Sequence, residues 1–131
     1  MLESVQNALT NRTTTIWLEE GILHSVVHLP SADYTLEDIR SDFTLYREAA
    51  GGQKRPLFID IRKVKSADRE ARNFGASAEA AQVISAQAIL IDSAVTKMIG
   101  NFFLNVSKPP FPTRMFTDQD EALDWLRQYV E

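Results

Sequence analysis

Leu57-Phe58-Ile59-Asp60-Ile61-Arg62 decides the fold. Leu57, Phe58, Ile59 and Ile61 are apolar with no in-out alternation, which is how a short strand covered on both faces reads. Such a strand belongs in a parallel or mixed sheet, so its flanks should read as helix. They do. Upstream, Thr35 caps a helix whose third position is Asp38, with Leu36, Ile39, Phe43 and Tyr46 spaced for one buried face, and Gly51-Gly52 stops it. Downstream, Ser66 can cap a helix from Ala67 to about Asn73. Gly75 and a second cap at Ser77 predict a break, then another turn or two ending near Ile84.

The same alternation continues in both directions. Ala86 to Ile91 is a second buried strand. Ser93 caps the helix after it, with Val95, Met98, Ile99 and Phe102 as its apolar face, and Lys108-Pro109-Pro110-Phe111-Pro112 stops it. Arg114-Met115-Phe116 is short enough to be only an edge strand. Asp118 and Glu121 form a capping pair, and Leu123, Leu126 and Val130 are the core stripe of a last helix. Toward the N-terminus, Thr13 to Leu29 is dense in β-branched and aromatic residues and broken once, at Glu20-Gly21, which predicts a β-hairpin ended by Pro30-Ser31-Ala32-Asp33. Residues 1–12 are polar and aperiodic and read as a loose lead-in or short helix. The order is ββαβαβαβα, an α/β fold in which an antiparallel N-terminal hairpin feeds a mostly parallel sheet, one domain over residues 13–131. Leu57, Ile59, Ile89, Ile91, Leu123 and Leu126 are expected to share one core.

Composition narrows the function classes. The 131 residues carry 14 Lys and Arg against 18 Asp and Glu, a net charge of −4, with a pI near 5.2 and no basic run, so there is no electrostatic footprint for nucleic acid. With no cysteine there is no disulfide framework, thiolate-bound metal or thiol nucleophile. No apolar stretch approaches the ~20 residues of a membrane span, and no secretory leader opens the chain, so a cytoplasmic location without membrane insertion is expected.

Ligands of open α/β sheets collect beyond the carboxyl ends of the strands, which singles out Asp60, Arg62, Asp92, Ser93, Thr96, Thr117 and Asp118. Asp60 and Asp92 end neighbouring strands, and two carboxylates there suit Mg²⁺-assisted phosphoryl chemistry. The plainer alternative is that each caps a turn or pairs with an arginine such as Arg62. His24 and His28 are the only histidines; on a strand they stand ~13 Å apart, too far to share a metal, and read as lying on the solvent side of the hairpin. No residue pattern supports Ser-His-Asp or Cys-His catalysis. Lys54 to Lys65 carries five cations and one acid, and Asp118 to Glu131 five acids and one arginine, so opposite fields on one small domain favour pairing with a second copy, as a homodimer, or with a charged partner.

The element order, the run Leu57 to Arg62 after a Gly-Gly stop, and the ending Phe116-Thr117-Asp118-Gln119-Asp120-Glu121-Ala122-Leu123-Asp124-Trp125-Leu126 together resemble small bacterial proteins of the SpoIIAA-like (STAS/SEC14) superfamily. The resemblance covers Ile16 to Val130. It implies helices mainly on one face of the sheet, no cofactor, and two styles of work: regulators that bind a protein partner and are switched by serine phosphorylation, and SEC14-type domains that hold an apolar ligand or lipid. The regulators carry the serine in an Asp-Ser-Ser-Gly-like stretch, whereas here the region reads Lys65-Ser66-Ala67-Asp68-Arg69. A phosphate on Ser66 would meet helix amides, Lys65 and Arg69, but the reading preferred for Ser66 is a plain N-cap. Three functions follow in order: a non-enzymatic regulatory or binding module acting through protein contacts around Asp60 to Arg72, with Asp92 and Ser93 beside it; a small apolar ligand-binding domain; and a Mg²⁺-dependent phosphoryl enzyme using Asp60 and Asp92.

Overall fold

The computed structural model describes residues 7–131. Strands β2 (Thr14–Glu19) and β3 (Ile22–Val27) form the expected hairpin, paired from Thr14 with Val27 to Glu19 with Ile22. The two-residue turn puts Glu20 at φ 52° and Gly21 at φ 81°, the left-handed pair that matches strand twist. Gly21 is also held to glycine by space, because a Cβ there would lie 2.7 Å from Val130. Upstream of the hairpin the structure departs from the expected loose lead-in: β1 (Leu9–Thr10) pairs antiparallel with β2, and residues 1–6 lie outside the described residues. Asn11 and Arg12, which offered nothing to bury, fasten this entry to the first helix through hydrogen bonds to Asp42 and Asp38.

Strands β5 (Arg55–Asp60), β7 (Ile84–Leu90) and β8 (Thr113–Phe116) complete a six-stranded sheet in the order β1-β2-β3-β5-β7-β8, with all pairings from β3 onward parallel. The mostly parallel sheet entered by an antiparallel hairpin is therefore as the sequence reads. Helix α1 (Leu36–Ala50) has the reciprocal cap between Thr35 and Asp38, and ends on Gly51 at φ 67°. Helix α2 (Arg69–Gly75) is followed by the single turn α3 (Ala78–Ala81), capped by Ser77 as expected but shorter, so that β7 begins at Ile84. Helix α4 (Ala94–Phe102), capped by Ser93, runs into a π-helical segment, Phe103–Ser107, which stops at left-handed Lys108. Helix α5 (Gln119–Arg127) starts on Asp118.

Three expectations need correction. The first concerns Ser66. Two short strands absent from the sequence reading, β4 (Ala32–Tyr34) and β6 (Val64–Ala67), pair in parallel as a second sheet, and Ser66 lies within β6 rather than at a helix start. The cap of α2 is Asp68, whose carboxylate accepts from Ala71 N at 2.8 Å. Backbone groups of the preceding residues find partners on β4, so the helix begins two residues later than the serine predicts.

The second concerns the core. A strand sends alternate residues to opposite faces, and the sheet separates what was expected to be one cluster. Leu57 packs with Ile16, Phe43 and Tyr46 beneath α1, and Ile59, Ile89 and Ile91 continue that layer toward α2 and α4. Leu126 and Leu123 of α5 instead cover Phe58, Ala86, Ala88 and Leu90 on the other face. Four helices on one face and one on the other satisfy helices mainly on one side. The α5 face also buries His24, which stacks on Trp17 and lies 5.6 Å from the Phe58 ring, so it is not on the solvent side. His28, part-buried, bonds Thr15 Oγ1 at 2.9 Å.

The third concerns α4. Its inward residues are Thr96, Ile99 and Gly100, followed by Phe103 of the π-helical segment, while Val95, Met98 and Phe102 are 45%, 55% and 46% exposed. Gly100 is on the inward edge. The Met115 side chain lies directly against Gly100, in the space a Cβ would take.

Candidate functional site

At the carboxyl edge of the sheet, Asp60 is buried and gripped by Arg62: Nε donates to Oδ1 at 3.0 Å, Nη2 to Oδ2 at 2.8 Å, and the Arg62 backbone N–H to Oδ1 at 3.0 Å. The bond to Asp60 raises the Arg62 pKa first, and the charges of Asp60 and Asp92 add to it. Asp92 is exposed, with its backbone N–H bonded to Thr96 Oγ1 at 3.1 Å, and Ser93 is occupied as the α4 cap. Ser66 Oγ donates to Asp33 at 2.6 Å, and this bond is the first cause of the lowered Asp33 pKa, helped by Lys65. Arg69 is exposed in the first turn of α2. Both Asp60 oxygens are thus taken by Arg62, and among the described residues no group of three or more His, Asp or Glu side chains is placed to hold a metal ion. Among the described residues no helix is long and apolar enough to cross a membrane.

None of these six side chains lines the concavity beneath the helices. That is an apolar cavity of about 80 Å³ between the sheet and α1, α2 and α4, walled by Val27, Ile59 and Ile89 from the strands and Ile39, Ala71 and Phe103 from the helices. Ile59 shows where the space lies. It sits mid-sheet, between Ser25 of β3 and Ile89 of β7, yet is only part-buried, so its remaining surface faces the cavity. Glycine makes room on the helix side: a Cβ on Gly75 would come within 3.1 Å of Phe103 and 3.2 Å of Ile39.

Polar groups reach this cavity from four side chains, and two are already satisfied. Tyr46 shares a 2.8 Å hydrogen bond with Ser25, and the Tyr34 hydroxyl donates to Asp42. Burial pushes both phenols well above their ordinary pKa, with the Asp42 charge adding to it. Asp42 is itself fully buried; burial pushes its carboxyl up to about 6, against the pull of bonds from Asn11, Tyr34 and Thr14. The other two groups are Gln87 and Arg72. Gln87 is 7% exposed and lines the cavity from the middle of β7. Arg72, part-buried, donates through Nε to Ala67 O, lies 5.0 Å over the Phe102 ring, and makes no ion pair among the described residues. The sequence reading missed both. A polar residue inside the apolar run Ala86 to Ile91 marks Gln87 in retrospect, whereas nothing local separates Arg72 from any other helix arginine.

Outside the cavity, α4 and the π-helical segment carry an exposed apolar stripe of Val95, Met98, Phe102 and Val106, the last 64% exposed.

Comparison with solved structures gives the same architecture. The chain is similar to an uncharacterised protein of the DUF3478 family from Shewanella loihica PV-4, described as having a SpoIIAA-like fold, at 20% identity and a TM-score of 0.60 over 90% of this chain and 98% of that one. The SpoIIAA-like resemblance therefore holds for the fold. No curated protein matches the chain. A family model matches residues 16–130, from within β2 to beyond α5, and the chain belongs to the family described as Domain of unknown function (DUF7793).

Proposed function

We propose that the protein is a binding module whose site is the apolar cavity between the sheet and helices α1, α2 and α4, and that it holds a small, largely apolar molecule there. The observation that carries this reading is the cavity itself, walled mostly by apolar side chains of the sheet and three helices. At about 80 Å³ it is near half the roughly 150 Å³ of an engineered apolar cavity that admits benzene, so it suits a short aliphatic segment. Titration with 1-propanol, followed by nuclear magnetic resonance, tests it: shifts are expected at Val27, Ile59 and Ile89, and are expected to vanish in Ala71→Leu, which fills the space. A wild-type protein whose cavity resonances do not move would end this reading.

A second reading, regulation through protein contact, is supported by the exposed stripe Val95, Met98, Phe102 and Val106, for which we propose a second copy of the chain as the occupant. Sedimentation would show a dimer that Met98→Glu disperses, and a wild-type monomer at high concentration would exclude it.

A further inference from the structure

We infer that the π-helical segment Phe103–Ser107 is the door of this cavity, and that it swings outward with the Phe103 ring to let a ligand pass while the sheet and α1 stay in place. The inference rests on the cavity being a ligand site, and it names the route in and the step that limits exchange.

The walls are held very differently. The sheet is bonded strand to strand, and α1 is tied at its start by the Thr35–Asp38 cap and by Arg12 and Asn11 on Asp38 and Asp42. The π-helical wall has much less. Of its five residues only Phe103 is buried, and Asn105 and Val106 are exposed. Pro109, Pro110 and Pro112 follow, and having no N–H they give its last carbonyls no donor.

Three separate costs fall in this one stretch. The Lys108 N–H donates to Phe103 O at 3.0 Å, across one more residue than an ordinary helical turn, a geometry rare outside functional sites. Lys108 is itself left-handed at φ 55°, which strains any residue with a side chain, and the proline after it favours extended backbone instead. The Ser107 hydroxyl oxygen is buried with no hydrogen-bond partner among the described residues. Outward movement relieves them together, since the hydroxyl then reaches water and Lys108 is free to extend. What holds the segment shut is the Phe103 ring, seated against Gly75 of α2 where a Cβ would come within 3.1 Å of it. One buried ring against three local costs is the balance of a wall that opens.

Nuclear magnetic resonance tests this with 1-propanol as the probe. In the ligand-free protein, relaxation dispersion should show Phe103 and Val106 exchanging on the microsecond-to-millisecond scale, while Ile16, fully buried beneath α1, does not. Ser107→Ala removes the unpaired hydroxyl and with it a reason to open, so bound 1-propanol should leave at least about threefold more slowly, with an affinity within about twofold of wild type. Gly75→Ala crowds the seat of the Phe103 ring, so 1-propanol should leave at least about threefold faster. Slower release at unchanged affinity is a rate effect that a merely structural serine would not produce. A release rate that Ser107→Ala leaves unmoved, or a ligand-free protein without exchange at Phe103 and Val106, would overturn the inference and leave the cavity reading standing. Absence of any binding by 1-propanol would instead remove the cavity reading, and the door with it. The unfolding midpoint of Ser107→Ala, expected at or above that of wild type, shows that the slower release is not damage to the fold, and this variant alone decides if Gly75→Ala does not fold.

Discussion

The imidazole of His24 stacks on the indole of Trp17 with ring centroids 4.9 Å apart and planes 13° from parallel. Burial against Trp17 and Phe58 lowers the His24 pKa below 6.5, and the nearby charges of Glu19 and Glu20 only partly oppose this. The folded state therefore binds this proton less readily than the unfolded chain, so the stability His24 contributes is complete above pH 6.5 and lost as pH falls below it. Replacing His24 with Phe keeps a ring in the stack and removes the proton. Melting temperatures from about pH 7.5 to about pH 5 should fall further for wild type than for His24→Phe. Parallel curves would show that the imidazole is not protected.

Asp42 is expected to act with the opposite sign. Its carboxyl is pushed up to about 6 from 3.8, so the folded state holds a proton that the unfolded chain releases between these values. Stability from this group is greatest below pH 3.8 and falls as pH rises through about 6, by roughly 2–3 kcal/mol in all. Asp42→Asn abolishes the titration. The difference in unfolding free energy between wild type and Asp42→Asn should therefore change in the variant's favour from about pH 4 to about pH 7, and a difference independent of pH would refute it.

The two faces of the sheet should lose stability separately. Leu126 is fully buried on the α5 side and Leu57 is 1% exposed on the α1 side, and each replaced by Ala should cost ~2–5 kcal/mol. Because the sheet lies between them, the double variant should match the sum within about 0.5 kcal/mol in urea unfolding. A large coupling energy would mean that the layers are one core after all.

Capping of α2 should depend on Asp68. Asp68→Ala is expected to cost ~1 kcal/mol, and Ser66→Ala, an exposed strand position, no more than about 0.5 kcal/mol. Ser66→Asp should be the worse of the two changes at Ser66, since it brings a second carboxylate to Asp33 where the hydroxyl now donates, with only Lys65 at 3.6 Å to offset it. Equal stability of Ser66→Asp and wild type would speak against the Asp33 contact.

Local chemistry is what the sequence determined by itself. The helix starts at Thr35, Ser77, Ser93 and Asp118, the stop at Gly51 and the turn at Glu20-Gly21 each depend on one side chain and the few backbone groups beside it, and all are where the sequence reads them. The continuous apolar runs likewise announce strands covered on both faces, so the class of sheet follows without knowing what covers it. Tertiary structure decided what depends on distant partners. Ser66 reads as a cap until Ala32–Tyr34 comes alongside to claim its strand, and α4 reads with Met98 and Phe102 inward until Gly100 closes on Met115. The cavity was hidden for the same reason: an empty space is a failure of several helices and strands to fill one volume, which no single stretch of sequence records. Gln87 is the instructive case, since its identity was visible in an apolar run, but only packing shows that it lines the cavity.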